Sequence, residues 1–225
     1  MSTSPTPLRA VVFDMDGLML DTEPLYQTAW QRAAETLGYA LDDEFYLTLI
    51  GTPTKDALKK VGAYFGPAFP LQRFTKLGAD QWYRQVEEHG IDTKPGLLPL
   101  LDQLEAAAVP RAVATSSSAK QAAETLEASG LADRFAHIVT SDQVARGKPA
   151  PDLYLEAARR LGLSPTACIA LEDSDAGVQS ASTAEMAVIM VPDLKAPSPQ
   201  AESQAYRILP SLHQAAPLIA DLLAR

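Results

Sequence analysis

A chain of 225 residues with 47% hydrophobic residues can form one large domain, or one domain with a small insertion, around a substantial core. The formal net charge of −9 argues against a nucleic-acid partner, which needs a basic face, and the single cysteine, Cys168, excludes a disulfide framework. No apolar run is long enough to cross a bilayer and no targeting peptide is visible, so we expect a cytoplasmic protein without a membrane partner.

The first predicted element is a buried strand over residues 10–13, a β-branched and aromatic run that stops at Asp14. No strand signal follows between residues 22 and 93. Amphipathic patterns there predict helices over 24–37, 55–64 and 72–89. An all-helical block therefore interrupts the chain, and the Lys-Pro-Gly sequence at 94–96 closes it.

After this block, helical and strand patterns alternate regularly. Helices are predicted at 97–108, 119–129, 151–161, 174–184 and 212–223, and strands at 111–114, 137–140, 168–171 and 187–191. Alternation of this kind predicts an α/β fold with a doubly wound parallel sheet, a Rossmann-like core covered on both faces. We assign residues 1–20 and 95–225 to this core and 21–94 to an inserted α-helical cap domain. The Pro- and Ser-rich stretch 195–200 is predicted to be a surface loop, and Cys168 a small core residue.

Two carboxylates stand where the first strand ends in a turn, Asp14 and Asp16. Asp14 can act as a nucleophile if a divalent cation screens it from an incoming anion. Asp16 can exchange a proton with a leaving oxygen and then with water, and its backbone carbonyl can bind the same cation. The alternative interpretation is an ordinary turn after a core strand, because Asp and Gly favour turns for local reasons.

Two further polar clusters follow later predicted elements. The hydroxyl run 115–118 follows a strand, and Thr115 with the amide of Ser116 can hold phosphate oxygens, although Ser and Thr also serve as helix N-caps. Lys148 lies in a loop made rigid by the two prolines that follow it, where it can neutralise developing negative charge or can be an exposed surface lysine.

The last cluster is acidic and follows the strand predicted at 168–171. Glu172 and Asp173 offer hard oxygen ligands of the kind that suit Mg²⁺. The alternative is again a helix cap at Asp173 or Ser174. Clustered acids favour the metal interpretation, because like charges repel unless a cation joins them.

In this order, the acidic pair, the hydroxyl loop, the loop lysine and the second acidic pair resemble the four motifs of the haloacid dehalogenase-like hydrolase superfamily. The string 14–23, with its Asp-x-Asp-Gly and Asp-Thr-Glu, resembles in particular the branch of small-molecule phosphatases and β-phosphoglucomutase. The resemblance implies that Asp14 is the nucleophile and Asp16 the general acid/base. It also implies that phosphate is bound by Thr115, Ser116 and Lys148. The implied ligands of Mg²⁺ are Asp14, the backbone carbonyl of Asp16, and Glu172 or Asp173.

The resemblance implies a Mg²⁺-dependent phosphatase that acts on small phosphorylated metabolites, sugar phosphates above all, through an aspartyl phosphate. Dehalogenases of the superfamily lack an acid/base aspartate at the position of Asp16. The rival functions are a sugar phosphomutase and a phosphate-sensing domain without turnover. A response-regulator receiver domain fits less well, because such domains are shorter and have no helical insertion of this size.

Substrate choice is expected to lie in the cap, at Glu23, Tyr26, Gly51 and Thr54. Tyr26 and Thr54 stand where β-phosphoglucomutase has a histidine and an arginine, which favours hydrolysis over mutase chemistry. Glu185 stands where relatives usually have glycine. We expect a monomer or a weak homodimer.

Overall fold

The computed structural model describes residues 7–52 and 54–224. The stretch 1–6, part of the region examined for a targeting peptide, and Pro53 lie outside these described residues. The chain divides into two compact units, one formed by the segments up to Leu20 and from Thr93 onward, the other by Asp21–Asp92. None of the helices in the described ranges has the length and apolar character needed to cross a membrane.

The unit Asp21–Asp92 is helical, and its helices are α1 (Glu23–Thr36), α2 (Asp43–Leu47), α3 (Thr54–Phe65) and α4 (Leu71–His89). Helices α1 and α4 pack closely, because Gly78 of α4 leaves room for Trp30 of α1; a methyl group at Gly78 would lie 3.3 Å from Trp30 Cδ1. Phe74 is fully buried in the core of this unit, which contributes about 1.5–3 kcal/mol.

Helix α2 was not predicted. It is five residues long, too short for a helical hydrophobic period to be visible in the sequence. The sequence feature that indicates this helix is the N-cap residue Asp42. Its side chain accepts a hydrogen bond from the backbone N–H of Phe45 at 2.7 Å.

The larger unit is built on a parallel sheet with strand order β3-β2-β1-β4-β5-β6. The strands are β1 (Ala10–Phe13), β2 (Arg111–Ala114), β3 (His137–Val139), β4 (Cys168–Glu172), β5 (Ala187–Met190) and β6 (Arg207–Ile208). The order reverses between β1 and β4, and ligands of open parallel sheets bind beyond the carboxyl ends of the strands at such a point. The predicted fold class is confirmed.

The helices that accompany the sheet are α5 (Leu97–Ala106), α6 (Ala119–Ala128), α7 (Asp152–Leu161), α8 (Asp175–Thr183), α9 (Pro199–Gln204) and α10 (Leu212–Leu223). All of these except α9 were predicted from the alternating pattern. Every residue of β1 is buried, which requires cover on both faces and explains why its sequence is apolar throughout. Val12 packs with Tyr154 of α7 and Val178 of α8 in one core cluster, whereas the ring of Phe13 meets Phe135.

Cys168 lies in the same core cluster, fully buried, as predicted. Burial raises the pKa of its thiol to about 11. A thiol that is both buried and protonated at neutral pH fits a packing role.

Two elements near the C-terminal edge of the sheet differ from the prediction. The stretch predicted as a loop over 195–200 contains the start of α9, where Ser198 caps the helix by accepting from the N–H of Ala201 at 3.2 Å and Pro199 takes the first helical position. Strand β6 was not predicted, because its two exposed residues carry no burial pattern.

Glu185 lies in the turn that ends α8, with φ of +66°, a backbone conformation that favours glycine. Its N–H donates to the carbonyl of Ser182 at 2.9 Å, and the N–H of Met186 donates to the carbonyl of Ala181 at 3.1 Å. This helix-ending turn accounts for the glycine expected at this position in relatives.

Candidate active site

The polar groups gather at the carboxyl ends of β1 and β4, where the strand order reverses. Asp14 directly follows β1, and its N–H continues the sheet ladder to the carbonyl of Leu171 at 3.0 Å. Glu172 is the last residue of β4. Both carboxyl groups are buried, Asp14 at 6% and Glu172 at 0% exposure. Because the two strands are parallel neighbours, residues far apart in sequence lie side by side.

Lys148 joins these two carboxylates. Its ammonium group donates to Asp14 Oδ1 and, at 2.6 Å, to Glu172 Oε1, and its side chain is 4% exposed. The alternative of an exposed surface lysine is therefore wrong. Burial pulls the pKa of the ammonium down, but the charges of Asp14 and Glu172 outweigh that effect and leave the pKa raised. Lys148 is a fixed positive charge at any pH of interest.

Glu172 is held by donors on both of its oxygens. Oε1 accepts from Lys148 and, at 2.7 Å, from the hydroxyl of Tyr154, which is fully buried on α7. Oε2 accepts from the N–H of Asp173 at 3.1 Å and from the N–H and hydroxyl of Ser174 at 3.2 and 3.1 Å. Glu172 therefore anchors Lys148. Tyr154 was not among the predicted site residues, because its bond to Glu172 depends on how α7 packs against β4.

One carboxylate oxygen each of Asp14, Glu172 and Asp173 lies within 4.8 Å of the others, a separation that a single cation can bridge. Burial raises the pKa of Asp14 to about 8, with Lys148 opposing and Glu172 reinforcing the shift. Burial, and then the charges of Asp14 and Glu172, also raises the pKa of Asp173 well above its ordinary value. Acids crowded in this way disfavour their charged forms unless a cation is added.

Gly17 leaves the space beside this acidic group open. It has φ of +84°, and a methyl group on it would lie 2.5 Å from Asp173 Oδ2. The turn is closed by the N–H of Gly17, which donates to the carbonyl of Leu20 at 2.9 Å. A glycine is needed here both for the backbone conformation and for the close approach of Asp173. The donor set and the open space fit a hard divalent cation.

Asp16 is partly buried in the same turn. Its Oδ2 accepts a hydrogen bond from the hydroxyl of Ser117 at 2.9 Å. Ser117 lies in the loop after β2, so this bond joins the loops that follow two neighbouring strands. Ser117 was not among the predicted site residues, although it belongs to the hydroxyl run that drew attention to this loop.

Thr115 and Ser116 lie where β2 ends. Thr115 is buried, its N–H donates to the carbonyl of Val139 at 2.9 Å, and its hydroxyl oxygen accepts from the N–H of Ser117 at 3.0 Å. Ser116 is exposed. The helix N-cap is a different residue, Ser118, which forms a capping box with Gln121. Capping therefore leaves Thr115 and Ser116 available for another role.

The predicted substrate residues all lie in the helical unit. The carboxylate of Glu23 accepts a hydrogen bond from Tyr46 at 3.2 Å, and the ring of Tyr26 stacks on Trp82 with centroids 5.7 Å apart. Gly51 has φ of +72°, and Thr54 is the first residue of α3. Their role in substrate binding stays a prediction.

Residues 11–191 match the family model described as haloacid dehalogenase-like hydrolase. The chain belongs to this family. The hydrolase is 33% identical over 177 residues to a phosphorylated carbohydrates phosphatase of Thermotoga maritima, covering 79% of this chain and 82% of the relative. It is 29% identical over 192 residues to a β-phosphoglucomutase of Bacillus subtilis, covering 82% and 83%.

Among solved structures, this hydrolase is similar to a family member from Deinococcus radiodurans R1 with bound phosphate and sodium. The TM-score is 0.79 at 26% identity, covering 96% of this chain and 97% of the other. The predicted superfamily and its β-phosphoglucomutase-like branch are confirmed. The predicted enzyme class, a phosphoric monoester hydrolase, is also confirmed, since several relatives are named as phosphatases.

Proposed function

We propose that this hydrolase is a Mg²⁺-dependent phosphatase that cleaves small phosphate monoesters, sugar phosphates above all, through an aspartyl phosphate on Asp14. The observation that carries the proposal is the buried contact of Asp14 with Lys148 beside Glu172 and Asp173. The Asp14 carboxylate is held by the ammonium group of Lys148 and lies beside two further acids. Once a divalent cation is added, such a carboxylate is suited to attack an anionic phosphate.

Asp14, the backbone carbonyl of Asp16 and Asp173 are the residues that would hold Mg²⁺. Of the two acids after β4, Asp173 is the better ligand, because both oxygens of Glu172 already accept hydrogen bonds from protein donors. When bound, the cation would supply charge neutralisation between the carboxylates and the phosphate oxygens.

In the first half of the reaction, an oxygen of Asp14 forms a bond to phosphorus while the bond from phosphorus to the leaving oxygen breaks. Asp16 donates a proton to that oxygen, and the hydroxyl of Ser117 holds its carboxyl group in place. Lys148 balances the negative charge around the transferring group, anchored by Glu172.

In the second half, Asp16 takes a proton from water, whose oxygen attacks phosphorus and frees Asp14. Inorganic phosphate is released, and both carboxyl groups return to their starting states. Thr115 and the amide of Ser116 would hold the phosphoryl oxygens through both halves.

The substrate proposal draws on relatives whose names include phosphorylated carbohydrates, hexitol and fructose 1-phosphate. We propose that this hydrolase takes sugar phosphates of similar size, that the unit Asp21–Asp92 acts as the cap that selects among them, and that the protein is a monomer or a weak homodimer. A cytoplasmic location remains a prediction.

A phosphomutase is the second candidate, favoured by the likeness to the mutase of Bacillus subtilis. A mutase would convert one sugar phosphate into its isomer and release little free phosphate. Tyr26 and Thr54 argue against it, because neither can replace the histidine and arginine that help β-phosphoglucomutase handle its sugar phosphate.

The test is phosphate release from p-nitrophenyl phosphate and from a panel of sugar phosphates. We expect turnover that EDTA abolishes and Mg²⁺ restores, and a loss of at least about 10³-fold in Asp14→Asn. The matched control is Asp102→Asn, which removes the acid of a surface ion pair with Arg134 and should keep full activity. Borohydride reduction during turnover should convert Asp14 to homoserine. Phosphate release without such trapping would contradict the covalent route, and isomerisation without release would favour the mutase.

A further inference from the structure

Asp193 has a buried carboxylate oxygen without a protein donor. It lies just after β5, in a loop tied to β4 by the N–H of Val191, which donates to the carbonyl of Glu172 at 2.7 Å. Oδ1 of Asp193 accepts from the ammonium group of Lys94 at 2.5 Å. Oδ2 is buried and has no hydrogen-bond partner among residues 7–52 and 54–224, although the whole side chain is only 9% exposed. A buried acceptor without a donor calls for an explanation.

That oxygen faces the space left by Gly17. A methyl group on Gly17 would lie 2.5 Å from Asp173 Oδ2 and 3.5 Å from Asp193 Oδ2, so these two oxygens are at most about 6 Å apart. Two O–H···O hydrogen bonds in sequence span about 5.5 Å. The two oxygens are therefore close enough for one water to bridge them.

Lys94 fixes the orientation of Asp193. The N–H of Lys94 donates to the carbonyl of Met19 at 2.8 Å, and its neighbour Thr93 forms a bridge with Leu20. The same loop carries Gly17, whose N–H bonds to the carbonyl of Leu20. By holding Oδ1, Lys94 leaves Oδ2 on the side of Gly17. An ion pair that merely tied two loops together would not account for the second, buried oxygen of Asp193 near Gly17 and Asp173.

We propose that Asp193 is a positioning residue for the cation, with Oδ2 accepting a hydrogen bond from water in the cation's hydration shell next to Asp173. The inference rests on the proposed function, because it assumes a cation held by Asp14, the Asp16 carbonyl and Asp173. Mg²⁺ in proteins usually keeps several waters, and groups that hold such outer partners affect metal affinity by about 10- to 100-fold.

Asp193→Asn is the decisive variant. Lys94 can donate only to the amide oxygen of the new side chain, so the NH₂ group takes the place of Oδ2 and cannot accept a hydrogen bond. We expect the Mg²⁺ dissociation constant, measured by calorimetry on the full chain without substrate, to rise about tenfold or more. The Mg²⁺ concentration for half-maximal rate should rise in parallel, and kcat at saturating Mg²⁺ should stay within about threefold of the wild type.

Asp102→Asn, which removes the acid of the ion pair with Arg134, is the matched control and should leave Mg²⁺ affinity unchanged. Lys94→Gln should weaken Mg²⁺ binding less than Asp193→Asn, because Oδ2 remains but loses its fixed direction. If Asp193→Asn lowers the melting temperature in EDTA yet binds Mg²⁺ within twofold of the wild type, the residue is only structural and the inference is wrong. If the wild type itself binds no Mg²⁺, the proposed function fails and this inference fails with it.

Discussion

Gly177 lies in the first turns of α8, directly against the side chain of Glu172. A methyl group on Gly177 would lie 1.8 Å from Glu172 Cδ and Oε1 and 2.0 Å from Oε2. Ordinary contacts need about 3.5 Å, so the carboxyl group must move by roughly 1.5 Å. Such a shift breaks its hydrogen bonds with Lys148 and Tyr154, which are 2.6 and 2.7 Å long.

The expected magnitude for Gly177→Ala combines three effects. Replacing a helical glycine by alanine stabilises a helix by about 1 kcal/mol. Overpacking costs about 1–3 kcal/mol, and separating a buried ion pair costs about 3–5 kcal/mol. We therefore expect a net loss of at least about 3 kcal/mol, or at least about 6–12 °C in melting temperature for a chain of this size. Displacement of Lys148 should also lower kcat by about 10²-fold.

The assay is thermal unfolding followed by circular dichroism, together with hydrolysis of p-nitrophenyl phosphate. Gly62→Ala is the matched control, a helical glycine in α3 whose added methyl group would meet Leu71 Cδ2 at an ordinary 3.4 Å. It should be neutral or slightly stabilising. In a Glu172→Ala background, Gly177→Ala should lose its cost, because the clashing group is gone. A Gly177→Ala variant as stable and active as the wild type would refute the reasoning.

Four further predictions concern single side chains. Tyr154→Phe keeps the ring over Lys148 but removes a hydrogen bond to Glu172, so unfolding should become easier by about 1.5 kcal/mol in denaturant titrations; an unchanged stability would contradict this. Ser117→Ala should lower kcat about tenfold by removing one hydrogen bond that positions the Asp16 carboxyl group, and a wild-type rate would argue against that role. Glu185→Gly should raise the melting temperature by about 1–3 °C with unchanged activity, since it relieves a positive φ; a lower value would contradict the strain. Cys168, with its pKa raised to about 11, stays protonated at pH 8 and should react with a thiol reagent only after unfolding, so rapid labelling of the folded protein would contradict its burial.

The main groups of the candidate site could be predicted from the sequence because of the sheet. Parallel strands bring their carboxyl ends to one edge, so polar residues that follow successive strands, such as Asp14 and Glu172, had to come close. The apolar runs of the strands and the helical patterns that alternate with them were clear enough in the sequence to predict this sheet.

The remaining features depend on contacts that sequence reasoning could not provide. Ser116 and Ser117 are chemically identical neighbours, and only the turn after β2 decides which of them bonds to Asp16. Asp193 was not considered from the sequence, and its partner Lys94 lies 99 positions away. The short elements α2, α9 and β6 were missed because tertiary contacts and caps, rather than hydrophobic periods, define them.

The contact between Lys148 and Asp14 spans 134 positions along the chain. At a synthesis rate of about 5–20 residues per second, Asp14 leaves the ribosome roughly 7–27 s before its counter-charge. Strand β1 is also central, so one of its neighbours, β4, is translated later still. During that interval the apolar residues of β1 have no partner strand of β4 to cover them, and exposed apolar segments of this kind are prone to aggregate.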